Sequence, residues 1–249
     1  MNKTHSMNKT QSYYDLLEAL DLPGCPICRL LATFTDRLFD GLIYEQINDG
    51  GLRARIRQAR GFCPEHARQL VRHGAALGVA IMMRDVLNTL LEALEGTRFR
   101  SVSRLSREGL RATLASAPSP ATADVVARLG PQKPCPVCER TREMEDRLLH
   151  VFVERLDDPE LTTKFRASEG LCLPHLRGVL RLIADQETYE TLVRTQGAIW
   201  RELLAQLNEA IRKSDYRFLD EGLGEEGKAW LRALGVIAGA QEDLHSRRR

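Results

Sequence analysis

Eight residues carry the clearest chemistry in this chain: Cys25 and Cys28 in C-P-I-C, Cys63 and His66 in C-P-E-H, Cys135 and Cys138 in C-P-V-C, and Cys172 and His175 in C-L-P-H. Each half reads C-x2-C, a gap of 34 or 33 residues, then C-x2-H, and all six cysteines of the chain are used. Three thiolates and one imidazole complete a tetrahedral zinc shell with no position left open, the pattern of structural rather than catalytic metal. The simplest grouping keeps each quartet inside its own half. It puts Cys25, Cys28, Cys63 and His66 on one zinc ion and Cys135, Cys138, Cys172 and His175 on a second.

Other chemistries fit these residues less well. Disulfide pairing within a half always strands one thiol, and the polar first twelve residues lack the apolar core of a secretory signal. Two iron–sulfur clusters are the alternative cofactor, because histidine can replace a cluster cysteine, although clusters usually take four cysteines in closer runs. That reading makes the protein an electron carrier or redox sensor. A thioredoxin-like role for C-P-I-C or C-P-V-C needs a βαβ setting and a free thiolate. A zinc-gated thiol switch, in which oxidation expels the metal, is a third reading.

The elements that position these residues are helices. A shift of 110 residues places Asp36-Arg37-Leu38 on Asp146-Arg147-Leu148, and a shift of 109 places Gly61-Phe62-Cys63 on Gly170-Leu171-Cys172. One residue fewer in the second copy, near 44–47, reconciles the two registers and marks an internal duplication. Leu31, Phe34, Leu38 and Leu42 follow Ile27 at helical spacing, as Met144, Leu148 and Phe152 follow Val137. Shorter helices are expected over 51–59 and 160–168, and others opening at Pro64 and Pro174. Long helices are expected over 75–95 and 186–213, and a last one over 225–243. No alternating strand pattern appears, so the fold is expected to be all-α: an internally duplicated helical bundle. Its parts are a first repeat at 13–96, an Arg/Ser/Pro-rich linker at 97–131, a second repeat at 132–214, and a C-terminal helix with basic tail at 215–249. A helical turn or two is expected near Leu105–Leu114, and fraying at Arg247–Arg249.

Composition bounds the function. With 36 Lys+Arg against 34 Asp+Glu over 249 residues, the chain lacks the strong basicity of a dedicated nucleic-acid binder. Its longest uncharged apolar run, Ala75 to Met83, is too short to span a bilayer. A cytoplasmic location follows as the expectation. No phosphate-binding glycine loop, nucleophile elbow or H-E-x-x-H motif is present, and a closed shell leaves no water to activate. Nothing positively indicates an enzyme; the expected partner is another protein, with a second copy of the chain also open. Asp36 and Asp146, present in both copies, read as helix-surface ion pairs before outer-sphere partners of a ligand histidine. His73 and His150 read as surface or packing residues, Met82 and Met83 as core filler, and the Arg98–Arg111 stretch as solvated linker.

The pattern C-P-[IV]-C-[RE], then [ND]-D, then G-[FL]-C-x2-H, resembles a group of uncharacterised bacterial proteins built from repeated CPxC/CxxH units. The resemblance covers roughly 22–95 and 132–213 and leaves out the linker and last helix. It implies metal-binding helical repeats and carries no established activity.

Overall fold

Helices here begin at residues able to hold a first turn. Asp49 and Asp158 are equivalent under the 109-residue shift, and each caps a helix: Asp49 Oδ1 accepts from Leu52 N at 2.5 Å, and Asp158 Oδ1 from Glu160 N at 2.9 Å. Cys63 and Cys172 adopt the extended backbone of a cap, and Pro64 and Pro174 follow within the first turn. Proline is tolerated there because that N–H has no partner inside the helix.

The computed structural model describes residues 10–96 and 122–239, except the Leu219 side chain. Along the chain run α1 (Gln11–Leu20), α2 (Pro26–Asp40), a π turn (Gly41–Glu45), α3 (Gly50–Gln58), α4 (Pro64–Gln69) and α5 (Ala76–Glu95). Then come α6 (Ala123–Leu129), α7 (Pro136–Glu154), α8 (Pro159–Ala167), α9 (Leu173–Leu182) and α10 (Gln186–Lys213). Two 3-10 turns (Tyr216–Glu221 and Glu225–Lys228) lead into α11 (Ala229–Ala238). Among the described residues there is no strand, and no helix is long and apolar enough to cross a membrane.

The all-α expectation stands, with differences of detail. The helix α1 was not among those expected, although Tyr13, Leu16, Leu17 and Leu20 form its buried stripe. The expected linker 97–131 contains α6 near its end, which precedes C-P-V-C as α1 precedes C-P-I-C. None of its residues is buried, so it shows no apolar periodicity. The expected helix at 225–243 begins as 3-10 turn and becomes α11, and residues 240–243 lie outside the described residues. So do the turns near Leu105–Leu114, the Arg98–Arg111 stretch and the Arg247–Arg249 tail.

The π turn has a counterpart in the repeat arithmetic. Under the 110-residue shift Gly41–Glu45 falls on 151–155, which is ordinary α-helix as far as Glu154. A π turn takes up one residue more than an α turn. It therefore absorbs the residue by which the first copy is longer.

The chain divides into two compact units. One takes residues up to Phe34 and from Glu143 onward; the other is Thr35–Arg142. These units cut across the copies expected at 13–96 and 132–214, because the chain passes between units inside α2 and again inside α7.

In the first unit, α1 packs on α8, α10 on α8 and α11, and α9 on α11. The core holds Tyr13, Leu16, Ile27, Leu148, Phe152, Phe165, Leu171 and Leu192. The Phe152 and Phe165 rings meet edge to face at 5.1 Å, and burial of each is worth roughly 2–3 kcal/mol. Tyr13 reaches the α8 cap, its hydroxyl donating to Asp158 Oδ1 at 3.0 Å.

In the second unit, α5 packs on α3, α6 and the π turn around Phe39, Leu42, Ile56, Met82, Val86 and Val137. Arg53 on α3 donates to Asp85 on α5 at 2.7 Å. That contact holds the Asp85 carboxyl below its ordinary range.

One side chain fixes the backbone leading into Cys172. Gln196, on α10 and 2% exposed, accepts from Leu171 N at 2.9 Å and donates to Leu171 O at 3.3 Å. Gly170 has φ +77°, and a Cβ there would lie 2.7 Å from Gln196 Nε2, so glycine is required both by conformation and by space. Replacing Gln196 with Ala leaves the buried Leu171 amide and carbonyl unpaired, at a cost of about 1–3 kcal/mol. Thermal unfolding of Gln196→Ala should show the first unit melting earlier while the second is unchanged.

Candidate metal centres

Every ligand candidate sits at one of two positions in a first helical turn. Cys25, Cys63, Cys135 and Cys172 each occupy the residue before a helix, their carbonyls accepting the first helical hydrogen bonds from Arg29, Ala67, Glu139 and Leu176. Cys28, His66, Cys138 and His175 each occupy the third residue of the same helix. Side chains at these two positions face each other across the first turn, the geometry that a capping box exploits. The x2 spacing thus aims both donors at one point, and the positive helix end beside them favours thiolate.

The structure brings all eight residues together in two groups, and the grouping crosses the copies. Cys25 and Cys28 meet Cys172 and His175; Cys135 and Cys138 meet Cys63 and His66. The expected quartets Cys25–Cys28–Cys63–His66 and Cys135–Cys138–Cys172–His175 are corrected accordingly. The path of the chain supplies the reason. It leaves the first unit inside α2 and re-enters it inside α7, so the C-x2-C and the C-x2-H of each copy fall in different units. The C-x2-H of one copy therefore does not return to its own C-x2-C. Each centre lies wholly within one compact unit.

Donor spacing is compact enough for a single ion, with most sulfur–nitrogen separations a few tenths of an ångström inside the ideal edges. A tetrahedral zinc shell with Zn–S near 2.3 Å and Zn–N near 2.0–2.1 Å has donor–donor edges of about 3.5–3.8 Å. In the first centre, Cys28 and Cys172 sulfurs are 3.6 Å apart, and His175 Nδ1 lies 3.4, 3.3 and 3.1 Å from the sulfurs of Cys25, Cys28 and Cys172. In the second, Cys63 and Cys138 sulfurs are 3.6 Å apart, with His66 Nδ1 at 3.2, 3.7 and 3.2 Å from Cys63, Cys135 and Cys138. Within each group the donors all fall within 4.8 Å of one another.

Proton sharing within these clusters is strained. Burial opposes charge on Cys25, yet hydrogen bonds from Cys172, Cys28 and His175 bring its thiol well below the ordinary value. Hydrogen bonding with Cys172 and Cys25 drives Cys28 far up. Burial alone would lower His175, but hydrogen bonds to Cys172 and Cys25 push it up to about 10. Burial, then hydrogen bonding with Cys63, pushes Cys138 up to about 12. A divalent cation at the centroid would replace the protons of the thiols and satisfy all four donors at once.

The surroundings differ between centres. Cys25, Cys28, Cys172 and His175 are all buried, whereas Cys63, Cys135 and Cys138 are half-buried around a buried His66. Behind His175, Glu145 Oε1 lies 3.4 Å from Nε2, the position of an outer carboxylate that orients a ligand imidazole. Periodicity and the repeat match did not single out Glu145. Its equivalent in the other copy is Thr35, whereas the repeat match marks its neighbour Asp146, which recurs as Asp36. Asp36 instead pairs with Arg72 at 2.9 Å, as does Asp40 at 3.2 Å. His66 packs against Phe39, ring centroids 6.0 Å apart. Neither His73 nor His150 joins a centre. The His73 carbonyl accepts from the Tyr44 hydroxyl at 2.9 Å, and His150 Nδ1 lies 2.7 Å from the Asp146 carbonyl. Met82 is core and Met83 packs beside it. Exchanging Glu145 for Gln should weaken metal at the first centre about tenfold and leave the second unaltered, as read by chelator competition on the holoprotein.

Comparison with known proteins places this architecture. An uncharacterised 23.9 kDa protein in the xynA 3′ region of Caldicellulosiruptor sp. (strain Rt8B.4) is 27% identical over 228 residues, covering 91% of this chain and 100% of that protein. No solved structure matches. Residues 14–243, which include all eight centre residues and both compact cores apart from Tyr13, match the family of unknown function DUF6062, and the chain belongs to that family.

Proposed function

We propose that this is a zinc-binding protein with one structural Cys3His site in each compact unit and a non-catalytic role as an adaptor or regulatory partner. The observation that carries the reading is the closed donor set: three sulfurs and one imidazole nitrogen within 4.8 Å of one another, in both units. A four-protein-ligand shell leaves no position for water or substrate, so its chemistry is cross-linking. Each ion joins the first turns of two helices distant in sequence, a contribution on the order of 10 kcal/mol to folding.

Donor spacing favours zinc over an iron–sulfur cluster. Four donors this close converge on one ion, while a cluster spreads its ligands over several irons. None of the six cysteines forms a disulfide, which suits a reducing, cytoplasmic setting. A partner role is supported by α11, which exposes Trp230, Leu234 and Ile237 along one face. An apolar helix face of this kind is ready to meet another protein.

Metal content and the visible spectrum of anaerobically purified protein test the reading together. It expects about two zinc ions per chain, a colourless sample and loss of the cooperative melt on strong chelation. Iron with acid-labile sulfide and charge-transfer absorbance would replace it with a redox carrier. A chelated chain that melts like the holoprotein would remove the structural role.

A further inference from the structure

We propose that the second centre is an oxidation site: hydroperoxide links Cys63 to Cys138 and expels its ion, while the first centre keeps its own. The inference rests on the two-zinc reading and adds a division of labour between the sites.

Three observations separate the centres. The first concerns access. Cys25 and Cys28 are each 9% exposed and Cys172 1%, whereas Cys63, Cys135 and Cys138 are half-buried. Oxidation follows exposure and thiolate character, and metal-held sulfur keeps that character at both centres. Access is therefore the difference that decides.

The second observation is a cover. Gly239, which follows α11, lies against the first centre: a Cβ there would be 3.8 Å from Cys28 Sγ and 3.9 Å from Cys172 Sγ. The third is the outer carboxylate. Glu145 backs His175 at 3.4 Å, while its equivalent under the 110-residue shift is the uncharged Thr35. A carboxylate behind a ligand imidazole strengthens its hold on metal.

The reacting pair follows from distance. Cys63 and Cys138 sulfurs stand 3.6 Å apart, and closing to a bond of about 2.05 Å is a movement of about 1.5 Å between two helix first turns. One thiolate attacks the peroxide O–O bond, forming a sulfenic acid and releasing the other oxygen as water after protonation. The second thiolate displaces the sulfenic hydroxyl, which leaves as a second water after protonation. Two thiolates, one hydrogen peroxide and two protons thus give one disulfide and two waters. The two sulfurs are oxidised by one electron each and the peroxide is reduced. Zinc, left with Cys135 and His66 alone, departs as the divalent ion.

The test uses full-length, zinc-loaded protein, graded hydrogen peroxide, a chromophoric chelator to time zinc release, and mass-spectrometric mapping of disulfides after alkylation. The expected result is one equivalent of zinc released about tenfold faster than the other, a Cys63–Cys138 link at that stage, and rebinding of zinc after reduction with a dithiol. Release of both equivalents at one rate, earlier oxidation of Cys25, Cys28 or Cys172, or a link between a different pair would overturn the inference while leaving the two-zinc reading intact. A chain purified with iron and sulfide, or without metal, overturns both before any peroxide is added.

Discussion

The structure depends on the meeting of two helix first turns, one from each copy of the duplicated sequence, around four soft donors. Cys25 and Cys28 open α2, and Cys172 and His175 open α9; Cys135 and Cys138 open α7, and Cys63 and His66 open α4. A C-x2-C or C-x2-H at the start of a helix supplies half a coordination shell and no more. Because the chain changes unit inside α2 and again inside α7, the missing half comes from the other copy. Each compact unit is consequently assembled from both copies, and each core closes around its own centre.

Much of this was legible in the sequence because chemistry restricts it tightly. Few residue types bind zinc, and a separation of three at a helix start aims two donors at one point, so all eight residues were identifiable by type and spacing. The stripes through Leu31, Leu38 and Leu42 and through Leu148 and Phe152 mark the helices, and Pro64 and Pro174 mark starts that the structure bears out, while the Asp49 and Asp158 caps emerge only from the structure. Pairing was harder to see. Gaps of 34 and 33 residues are nearly equal, so grouping within or across copies satisfies spacing alike. The deciding information lay in where the chain changes unit, inside α2 and inside α7, a property of whole elements rather than of motifs. The short α6 buries nothing and left no pattern to read. Glu145 was hidden because the repeat match points to its neighbour Asp146, which recurs as Asp36, while Glu145 recurs as Thr35.

The two centres hold the same donors in unlike surroundings. Around the first, burial, Glu145 and the clamp of Gln196 on Leu171 restrict motion and access together. Around the second, half-buried sulfurs and an aromatic neighbour in place of a carboxylate leave the same donor set more open. Identical ligands can therefore hold metal with different tenacity, because exposure and outer-sphere contacts set how readily thiolate sulfur is reached. The same motif brings the same donors to both centres, and the surrounding packing sets how exposed they are.

The claim on which the account turns is the cross-copy grouping, and metal counting in one multiple variant tests it directly. Replacing Cys25, Cys28, Cys172 and His175 together removes one whole centre if the donors group as described, and the remaining chain should bind one zinc ion through Cys63, His66, Cys135 and Cys138. If instead each copy closed its own site, the same four replacements would cut both quartets in half, and the variant would bind none.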